Sequence, residues 1–408
     1  MDIKKIFSGV AVIIDDKVNK RDSGDKIIAI RDRLKKNNIP ILEYEDIPAD
    51  SEIKNFNNIS FVLLDWELFE RPQPGLQMDE TPFINNNIRF LKKIRETSFL
   101  PIFIFSNIAP NSIIRTLSEE GIYEEIHNNY IFVKQKDELF SSNGSFLFFS
   151  ILKRWFKKTP AIYVLKEWEQ SLNKAKRDLF WLFYAINHNW PFILQETFTV
   201  DGSDVNYELG SFIFKNIIAR TEPIEFDDEI IKQKDIEISK DDIRKILESE
   251  RFIQKDALPD IPFTGDLFEY EVDINGEKEN RYYLNIRPEC DIAIRKNGTN
   301  NPDLYCLKGG KIVNEELINS ENKEHKAKKI EFIKGSFIEK SNQIFLPFIV
   351  SGKIIEFSLN DIVIKKWNAL KASRKGRLLP PYITRVQQQY SFYLQRQGLP
   401  AIPEKAIK

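Results

Sequence analysis

The stretch SFVLLDW, residues 60–66, decides the fold of the amino-terminal part of this 408-residue chain. Its apolar residues follow one another without alternation, and the run ends at an acidic residue, Asp65. A strand that is apolar on both faces is typical of a parallel sheet covered by helices on both sides. The stretch therefore predicts a central strand of an α/β sheet, with Asp65 at its carboxyl end.

Four similar apolar runs lie on either side of this strand along the chain. They are GVAVIID (9–15), PILEYE (40–45), LPIFIFS (100–106) and YIFV (130–133). Longer amphipathic segments separate several of them, and a further helix is expected from about Ser145. Short strands that alternate with helices predict βα units around a parallel sheet. We expect one five-stranded α/β domain over residues 1–157.

The residues that close these strands are polar. The first strand ends in Asp15 and Asp16, the third in Asp65, the fourth in Ser106 and the fifth in Lys134. In a doubly wound sheet, ligands bind just beyond the carboxyl ends of the strands. The pattern therefore predicts three carboxylates, one hydroxyl and one ammonium group at a single edge of the sheet.

This set of side chains is suited to phosphoryl transfer. Clustered carboxylates repel one another and favour a bound divalent cation, and Mg²⁺ needs only one or two carboxylates, so Asp15, Asp16 and Asp65 are the expected ligands. Asp65 is the best-placed nucleophile for forming an acyl phosphate. Lys134 would pair with the phosphoryl oxygens, and Ser106 would donate a hydrogen bond to one of them.

The strings IIDDKV, FVLLDWEL, FIFSN and YIFVKQ carry these positions in order, and they resemble the receiver domain of response regulators. The resemblance covers residues 1 to about 155. It implies a flavodoxin-like sheet of order 2-1-3-4-5, dependence on Mg²⁺, and transfer of a phosphoryl group from a sensor histidine kinase to Asp65. Two positions depart from the family: Gln135 replaces the usual proline, and Ile131 stands at the aromatic switch position. We expect phosphorylation without the usual coupling to an output.

The remaining 250 or so residues differ in composition and pattern from the amino-terminal part. Aromatic-rich helical sequence over 158–222 predicts a helical connector, and 223–260 reads as a solvated acidic segment with one short helix. From 261 to 408, short β-rich runs separated by Asn-Gly and Gly-Gly turns predict an antiparallel sheet or barrel, followed by basic carboxy-terminal helices. The predicted whole is an α/β receiver, a helical connector and a β-rich α+β module.

One stretch near the carboxyl end is strongly basic. Residues 361–398 hold eight Lys or Arg and one acidic residue. One interpretation is a DNA-binding regulator with a phosphate-contacting patch and Trp367 available for stacking. The other is a solvated helix face, which we favour because no helix-turn-helix signature is present. The candidate patch consists of Lys365, Lys366, Lys371, Arg374, Lys375 and Arg377.

The string RPECDIAI offers an alternative chemistry. Cys290 and Asp291 could belong to an effector enzyme that is switched by phosphate, but no histidine lies in a matching context, so a structural role is the favoured interpretation. A second, looser resemblance rests on this string and on the tail PPYITRVQQQYSFYLQRQGLP. It is to receiver proteins of Detocs-type antiphage phosphorelays, and it implies a phosphate buffer or a switch that binds another receiver or an effector protein.

The composition of the chain indicates in which compartment it acts and which partners its overall charge does not attract. Lys and Arg number 60 against 61 acidic residues, so no overall field attracts nucleic acid or anionic lipid. We expect no signal peptide and no membrane span, because the start soon becomes acidic and the most apolar later stretch is far shorter than about 20 residues. With only two cysteines, the chain is expected to act in a reducing cytoplasm.

Overall fold

The computed structural model describes residues 7, 9–20, 26–69, 79–124, 130–200, 202, 204–232, 237–274, 276–294, 300–313, 338–340, 342–396 and 406. The chain divides into two compact units. Unit 1 comprises Met1–Ile186 and Phe214–Asp235, and unit 2 comprises Asn187–Ile213 and Ile236–Lys408. Each unit is therefore assembled from two separate pieces of chain, where the sequence suggested consecutive domains.

A five-stranded parallel sheet forms the centre of unit 1. Its strands lie in the order β2-β1-β3-β4-β5, and all four strand pairings are parallel. The sequence prediction of a five-stranded α/β unit is confirmed. The strands are β1 Val10–Ile14, β2 Ile41–Tyr44, β3 Ile59–Leu64, β4 Ile102–Ser106 and β5 Ile131–Gln135.

Helices flank this sheet and contribute apolar side chains to its core. In the third helix, buried Ile88, Leu91 and Ile94 recur at helical spacing and form part of the core. The fourth helix begins with Pro110, and two residues after its end Gly121 adopts φ +67°, a conformation that suits glycine. The helices are α1 Lys26–Lys36, α2 Asp50–Ile53, α3 Thr81–Thr97, α4 Pro110–Glu119, α5 Phe148–Lys158 and α6 Pro160–Ile186.

A later piece of chain completes the core of unit 1. Two helices, α7 Trp190–Val200 and α8 Val205–Arg220, precede the short helix α9, Asp228–Ile231. Ile230 on α9 is 1% exposed and belongs to the same apolar cluster as the sheet. The N–H of Asp227 donates a 2.9 Å hydrogen bond to the Tyr163 hydroxyl. Residues near 230 are therefore part of the α/β core.

Unit 2 contains an eight-stranded sheet whose pairings are antiparallel, as the sequence predicted for its β-rich part. The strand order is β10-β11-β12-β9-β8-β7-β13-β6. The strands are β6 Phe252–Gln254, β7 Asp266–Ile274, β8 Glu277–Asn285, β9 Asp303–Val313, β10 Ile338–Lys340, β11 Gln343–Val350, β12 Lys353–Lys366 and β13 Arg374–Leu378. Besides α7, its helices are α10 Lys240–Arg251, α11 Glu289–Ile292, α12 Trp367–Leu370 and α13 Tyr382–Gln395.

The segment predicted to be solvated, 223–260, contributes an edge strand to this sheet. β6 pairs with β13, and its Phe252 is buried. Gly376 on β13 permits the close approach, because a Cβ there would come within 2.2 Å of the Ile253 carbonyl oxygen. Part of the segment predicted to be solvated is therefore packed into the sheet.

Within the part of the chain that the structure describes, no helix has both the length and the apolar character needed to cross a membrane.

Candidate functional site

The carboxyl ends of β1 and β3 bring two buried aspartates together. Asp15 follows β1 and is 0% exposed, and Asp65 follows β3 and is 4% exposed. The N–H of Asp65 donates to the Ile14 carbonyl at 2.9 Å, which ties the end of β3 to the end of β1. The parallel register thus places both carboxyl groups at one edge of the sheet, as the sequence predicted.

A third carboxyl group joins them. Oxygens of Asp15, Asp16 and Asp65 all lie within 4.8 Å of one another. Asp16 Oδ1 is buried and has no hydrogen-bond partner among the described residues. Burial, and then the charge of Asp15, raise the pKa of Asp16 above its ordinary value. An oriented, unpaired carboxylate oxygen beside two other carboxyl groups is a suitable environment for a divalent cation.

A lysine lies between the two buried aspartates, and it is Lys136. Its Nζ is 2.8 Å from Asp15 Oδ2 and 2.9 Å from Asp65 Oδ2, and the side chain is 1% exposed. The predicted residue, Lys134, instead pairs with Glu138 and is about a third exposed. The sequence assignment of Lys134 is therefore corrected to Lys136.

The length of β5 explains this correction. The apolar run predicted a strand that ends at residue 133, whereas β5 continues to Gln135, which pairs with Ser106 at the end of β4. The first residue beyond the strand is Lys136, which begins a 3-10 turn that runs to Leu139. Lys136 therefore stands at the edge of the sheet where the other strand-end residues are found.

Burial and unbalanced charge set the electrostatics of the cluster. Burial raises the pKa of Asp65 to about 7, with Lys136 opposing the shift and Asp15 adding to it. For Lys136, burial alone disfavours the ammonium form, but the two carboxylates outweigh it and raise the pKa above the ordinary value. Asp15 and Asp65 contact the Lys136 ammonium group, and Asp16 lies 3.9 Å from that of Lys20. Three carboxyl groups thus face two ammonium groups, and the excess of negative charge favours a cation.

Ser106, the predicted hydroxyl, is fully buried at the end of β4. Its Oγ donates to Glu67 Oε2 at 3.0 Å, and the N–H of Asn107 donates to the same oxygen at 3.2 Å. The N–H of Glu67 in turn donates to Asp65 Oδ1 at 3.1 Å. Sequence reasoning did not identify Glu67, although its position two residues after Asp65 was visible.

The six residues of the predicted nucleic-acid patch are not brought together as a free cationic surface. Arg374 and Arg377 are buried, and both guanidinium groups contact Asp266, at 3.5 and 2.8 Å. Arg374 also donates to the carbonyls of Pro259 and Ile261. These two side chains serve the interior of unit 2, so the proposed patch loses a third of its members.

The lysines of that patch lie close to acidic or aromatic neighbours. Lys366 pairs with Asp303, and Lys365 lies 6.0 Å from the centre of the Tyr283 ring. Trp367, considered for base stacking, is buried, and Arg374 lies over its ring at 5.3 Å. The other two pairs are Lys371 with Asp260 and Lys375 with Glu269.

The alternative catalytic pair lies on the short helix α11. Cys290 is exposed, and its Sγ is 3.4 Å from Asp291 Oδ1. Asp291 also lies 3.9 Å from Arg287 Nε. The thiol thus contacts a carboxylate, whereas an imidazole commonly activates a cysteine nucleophile. His127 and His325 lie outside the described residues.

Comparisons with known proteins give no family for this chain. No protein-family model matches it, and no curated protein matches it. Among solved structures, one similar chain is a fusion that carries a trimeric coiled coil of yeast Spc42. That chain is 14% identical, the match covers 46% of this chain and 93% of the other, and the TM-score is 0.25. A similarity this weak carries no argument about fold or function.

Proposed function

We propose that unit 1 is a flavodoxin-like receiver domain that accepts a phosphoryl group on Asp65. The observation that carries the proposal is the buried triad of Asp15, Asp65 and Lys136, with Asp16 beside it at the carboxyl edge of a parallel sheet of order 2-1-3-4-5. A nucleophilic carboxylate, a cation that pairs with oxygens and an acidic metal site are the groups that phosphoryl transfer to an aspartate requires. The phosphoryl donor would be a sensor histidine kinase.

Transfer of the phosphoryl group from a phosphohistidine to Asp65 requires no oxidant and no further substrate. An ionised Asp65 oxygen attacks the phosphorus of a phosphohistidine, and the new O–P bond forms as the P–N bond breaks. The bonding electrons remain on the imidazole nitrogen, which takes a proton from solvent. Lys136 Nζ already contacts one Asp65 oxygen, so it is placed to pair with the oxygens of the entering group.

Asp15 and Asp16 would hold the Mg²⁺ ion, with an Asp65 oxygen nearby. The unpaired Asp16 Oδ1 and the 4.8 Å grouping of the three carboxyl groups fit a hard divalent cation that keeps several waters. When bound, the ion supplies positive charge that offsets the charge of the carboxylates and of the phosphoryl oxygens. Lys136 and the more exposed Lys20 leave the charge of three carboxylates incompletely balanced.

A labelling experiment tests the proposal. The chain is incubated with Mg²⁺ and radiolabelled acetyl phosphate, and bound label is measured together with its release by hydroxylamine, which cleaves acyl phosphates. We expect Asp65→Asn and chelation of Mg²⁺ each to abolish labelling. Asp32→Asn is the control, because Asp32 is an exposed aspartate of the same unit that pairs with Arg31. Equal labelling of Asp65→Asn and wild type would refute the assignment.

The role of phosphorylation in the whole chain follows from the looser resemblance. We propose either a phosphate buffer in a bacterial, antiphage phosphorelay or a switch that binds another receiver or an effector protein in the cytoplasm. Following label from the cognate kinase onto and off the chain distinguishes the two. Rapid transfer without a new complex supports the buffer, and a complex that forms only with the phosphorylated chain supports the switch.

A further inference from the structure

Glu67 links the candidate phosphoacceptor to the hydroxyl at the end of the neighbouring strand. The Glu67 N–H donates to Asp65 Oδ1, and its side chain turns to the end of β4. There Oε2 accepts hydrogen bonds from the Ser106 hydroxyl and from the Asn107 N–H. The residue is only 8% exposed. A buried carboxylate therefore occupies two donors next to the site of phosphorylation.

These donors form an anion-binding pair. A hydroxyl and a backbone N–H from consecutive residues are directed to one oxygen, at 3.0 and 3.2 Å. Hydrogen bonds to an ionised acceptor are about twice as strong as those between neutral groups. Phosphoryl oxygens are anionic acceptors of the same kind, so a phosphoryl group on Asp65 and the Glu67 carboxylate would compete for the same two donors.

We propose that Glu67 is an internal competitor of the phosphoryl group: its carboxylate holds Ser106 and Asn107 in the unphosphorylated chain and leaves them when Asp65 is phosphorylated. The inference rests on the proposed function of Asp65. Glu67 acts as a positioning residue, since it forms no bond to the entering group. Its negative charge also adds to that of the three carboxyl groups, and so opposes the approach of a further anion.

The exchange would reach the loop after β4. Ser106 Oγ accepts a hydrogen bond from the Ile108 N–H at 3.2 Å, and the Asn107 carbonyl accepts one from Gln135 Nε2 at 3.3 Å. Both contacts depend on where Ser106 and Asn107 are held. Departure of Glu67 therefore changes the restraint on the β4–α4 connection and on the end of β5, even though Ile131 lacks the aromatic ring usual in the family.

Beryllofluoride, an acyl-phosphate mimic, tests the competition without chemical turnover. Binding in the presence of Mg²⁺ is titrated by ¹⁹F NMR for wild type, Glu67→Gln, Glu67→Ala and Glu138→Gln. Glu138→Gln is the matched control, because it removes one negative charge near the same edge from a residue that pairs with Lys134. We expect Glu67→Ala to bind about tenfold or more tightly, Glu67→Gln to show a smaller gain, and the control to remain within about twofold of wild type.

Amide exchange at Asn107 provides the second measurement, and protection of the amides of the parallel sheet shows that the variants are folded. The Asn107 N–H should be protected in wild type with or without beryllofluoride, but in Glu67→Ala only with it. If wild type binds beryllofluoride and labels on Asp65 while both Glu67 variants match it, the competitor role is wrong and the proposed function stands. If wild type neither labels nor binds beryllofluoride, both proposals fail.

Discussion

Each unit contains a buried cluster of acidic and basic side chains, and the two clusters differ in the sign of their net charge. In unit 1, Asp15 and Asp65 share the single ammonium group of Lys136, and a third carboxyl group lies beside them. In unit 2, Asp266 contacts the guanidinium groups of both Arg374 and Arg377. The first cluster has an excess of acids and the second has an excess of bases.

The direction of the pKa shifts is the same in the two clusters, and they differ in the sign of the excess charge and in the kind of atom left without a hydrogen bond. Burial raises the pKa of Asp65 and also that of Asp266, despite the cations beside each. In unit 2, Arg374 donates to the backbone carbonyls of Pro259 and Ile261, although its Nε has no hydrogen-bond partner among the described residues. In unit 1, Asp16 Oδ1 has no hydrogen-bond partner within the described part of the chain. A carboxylate oxygen can ligate a cation and a guanidinium N–H cannot, so the unit 1 cluster is the one that could hold a metal ion.

Removal of the acid from the unit 2 cluster should have the largest effect on stability. Asp266→Asn leaves two buried guanidinium groups without a counter-charge, and we expect a loss of about 3–5 kcal/mol in the free energy of unfolding of unit 2. Urea denaturation followed by near-UV circular dichroism measures it. Asp303→Asn is the control, because its pair with Lys366 is exposed and worth about 0–1 kcal/mol. A loss below about 1 kcal/mol in Asp266→Asn would contradict the structural role, and labelling of Asp65 should not change.

Removal of the base from the unit 1 cluster should affect chemistry most. Lys136→Met deletes the group that contacts both buried aspartates, and we expect the rate of labelling by acetyl phosphate to fall about 10²- to 10³-fold. Lys134→Met should stay within about twofold of wild type, because that side chain pairs with Glu138 at the surface. Circular dichroism in Mg²⁺ confirms folding of both variants. If the two variants were labelled at similar rates, the assignment of Lys136 rather than Lys134 to the site would be contradicted.

Mg²⁺ should stabilise unit 1 and leave unit 2 unchanged. At 100 times its dissociation constant, a ligand that binds only the folded state adds about 2.7 kcal/mol, and the three-carboxyl cluster is the site on which we expect this. Asp16→Asn should weaken binding about tenfold, which removes about 1.4 kcal/mol at a fixed Mg²⁺ concentration. Denaturation with and without Mg²⁺ measures the difference. An equal stabilisation of Asp16→Asn and wild type would exclude Asp16 as a ligand.

The smallest expected effect is the pH dependence of stability that comes from the buried thiol of Cys306. Cys306 is buried with Phe268 and Trp367, and burial raises its pKa to about 12. The folded chain therefore keeps this proton at pH values where an unfolded thiol has lost it. Its contribution to stability is complete below about pH 8.5 and declines as the pH rises towards 12. Ellman's reagent at pH 9 should detect one thiol per folded chain, Cys290, and two in denaturant; two in the folded chain would contradict the burial.

The sequence was sufficient for the parts of the site that follow uninterrupted apolar runs. Asp15, Asp65 and Ser106 close strands whose ends are marked by a change from apolar to polar residues, and the structure places all three at the predicted edge. Lys136 was missed because Lys134 ends the apolar run, although hydrogen bonding to β4 continues to Gln135. The length of β5 depends on its pairing with β4, and the local sequence of β5 carries no information about that pairing.

Contacts between distant residues account for the other differences. Glu67 was not recognised because its partners lie on β4, about 40 residues later. The charge count of 361–398 suggested a basic surface, but Arg377 is neutralised by Asp266, which lies 111 residues earlier. Likewise the four residues of α9 give no local sign that Ile230 belongs to the α/β core. Each of these features depends on contacts between residues that are far apart in the sequence.

The Tyr163–Asp227 hydrogen bond and the burial of Ile230 have a consequence for synthesis of the chain on the ribosome. The segment Asn187–Ile213, which belongs to unit 2, emerges before the piece that completes unit 1. A nascent chain that stops at residue 157 or 186 therefore has all five parallel strands but lacks Ile230, and so it leaves part of the unit 1 core open to solvent. Folding of unit 1 during translation is completed only after residue 230 has left the exit tunnel, when part of unit 2 has already been made.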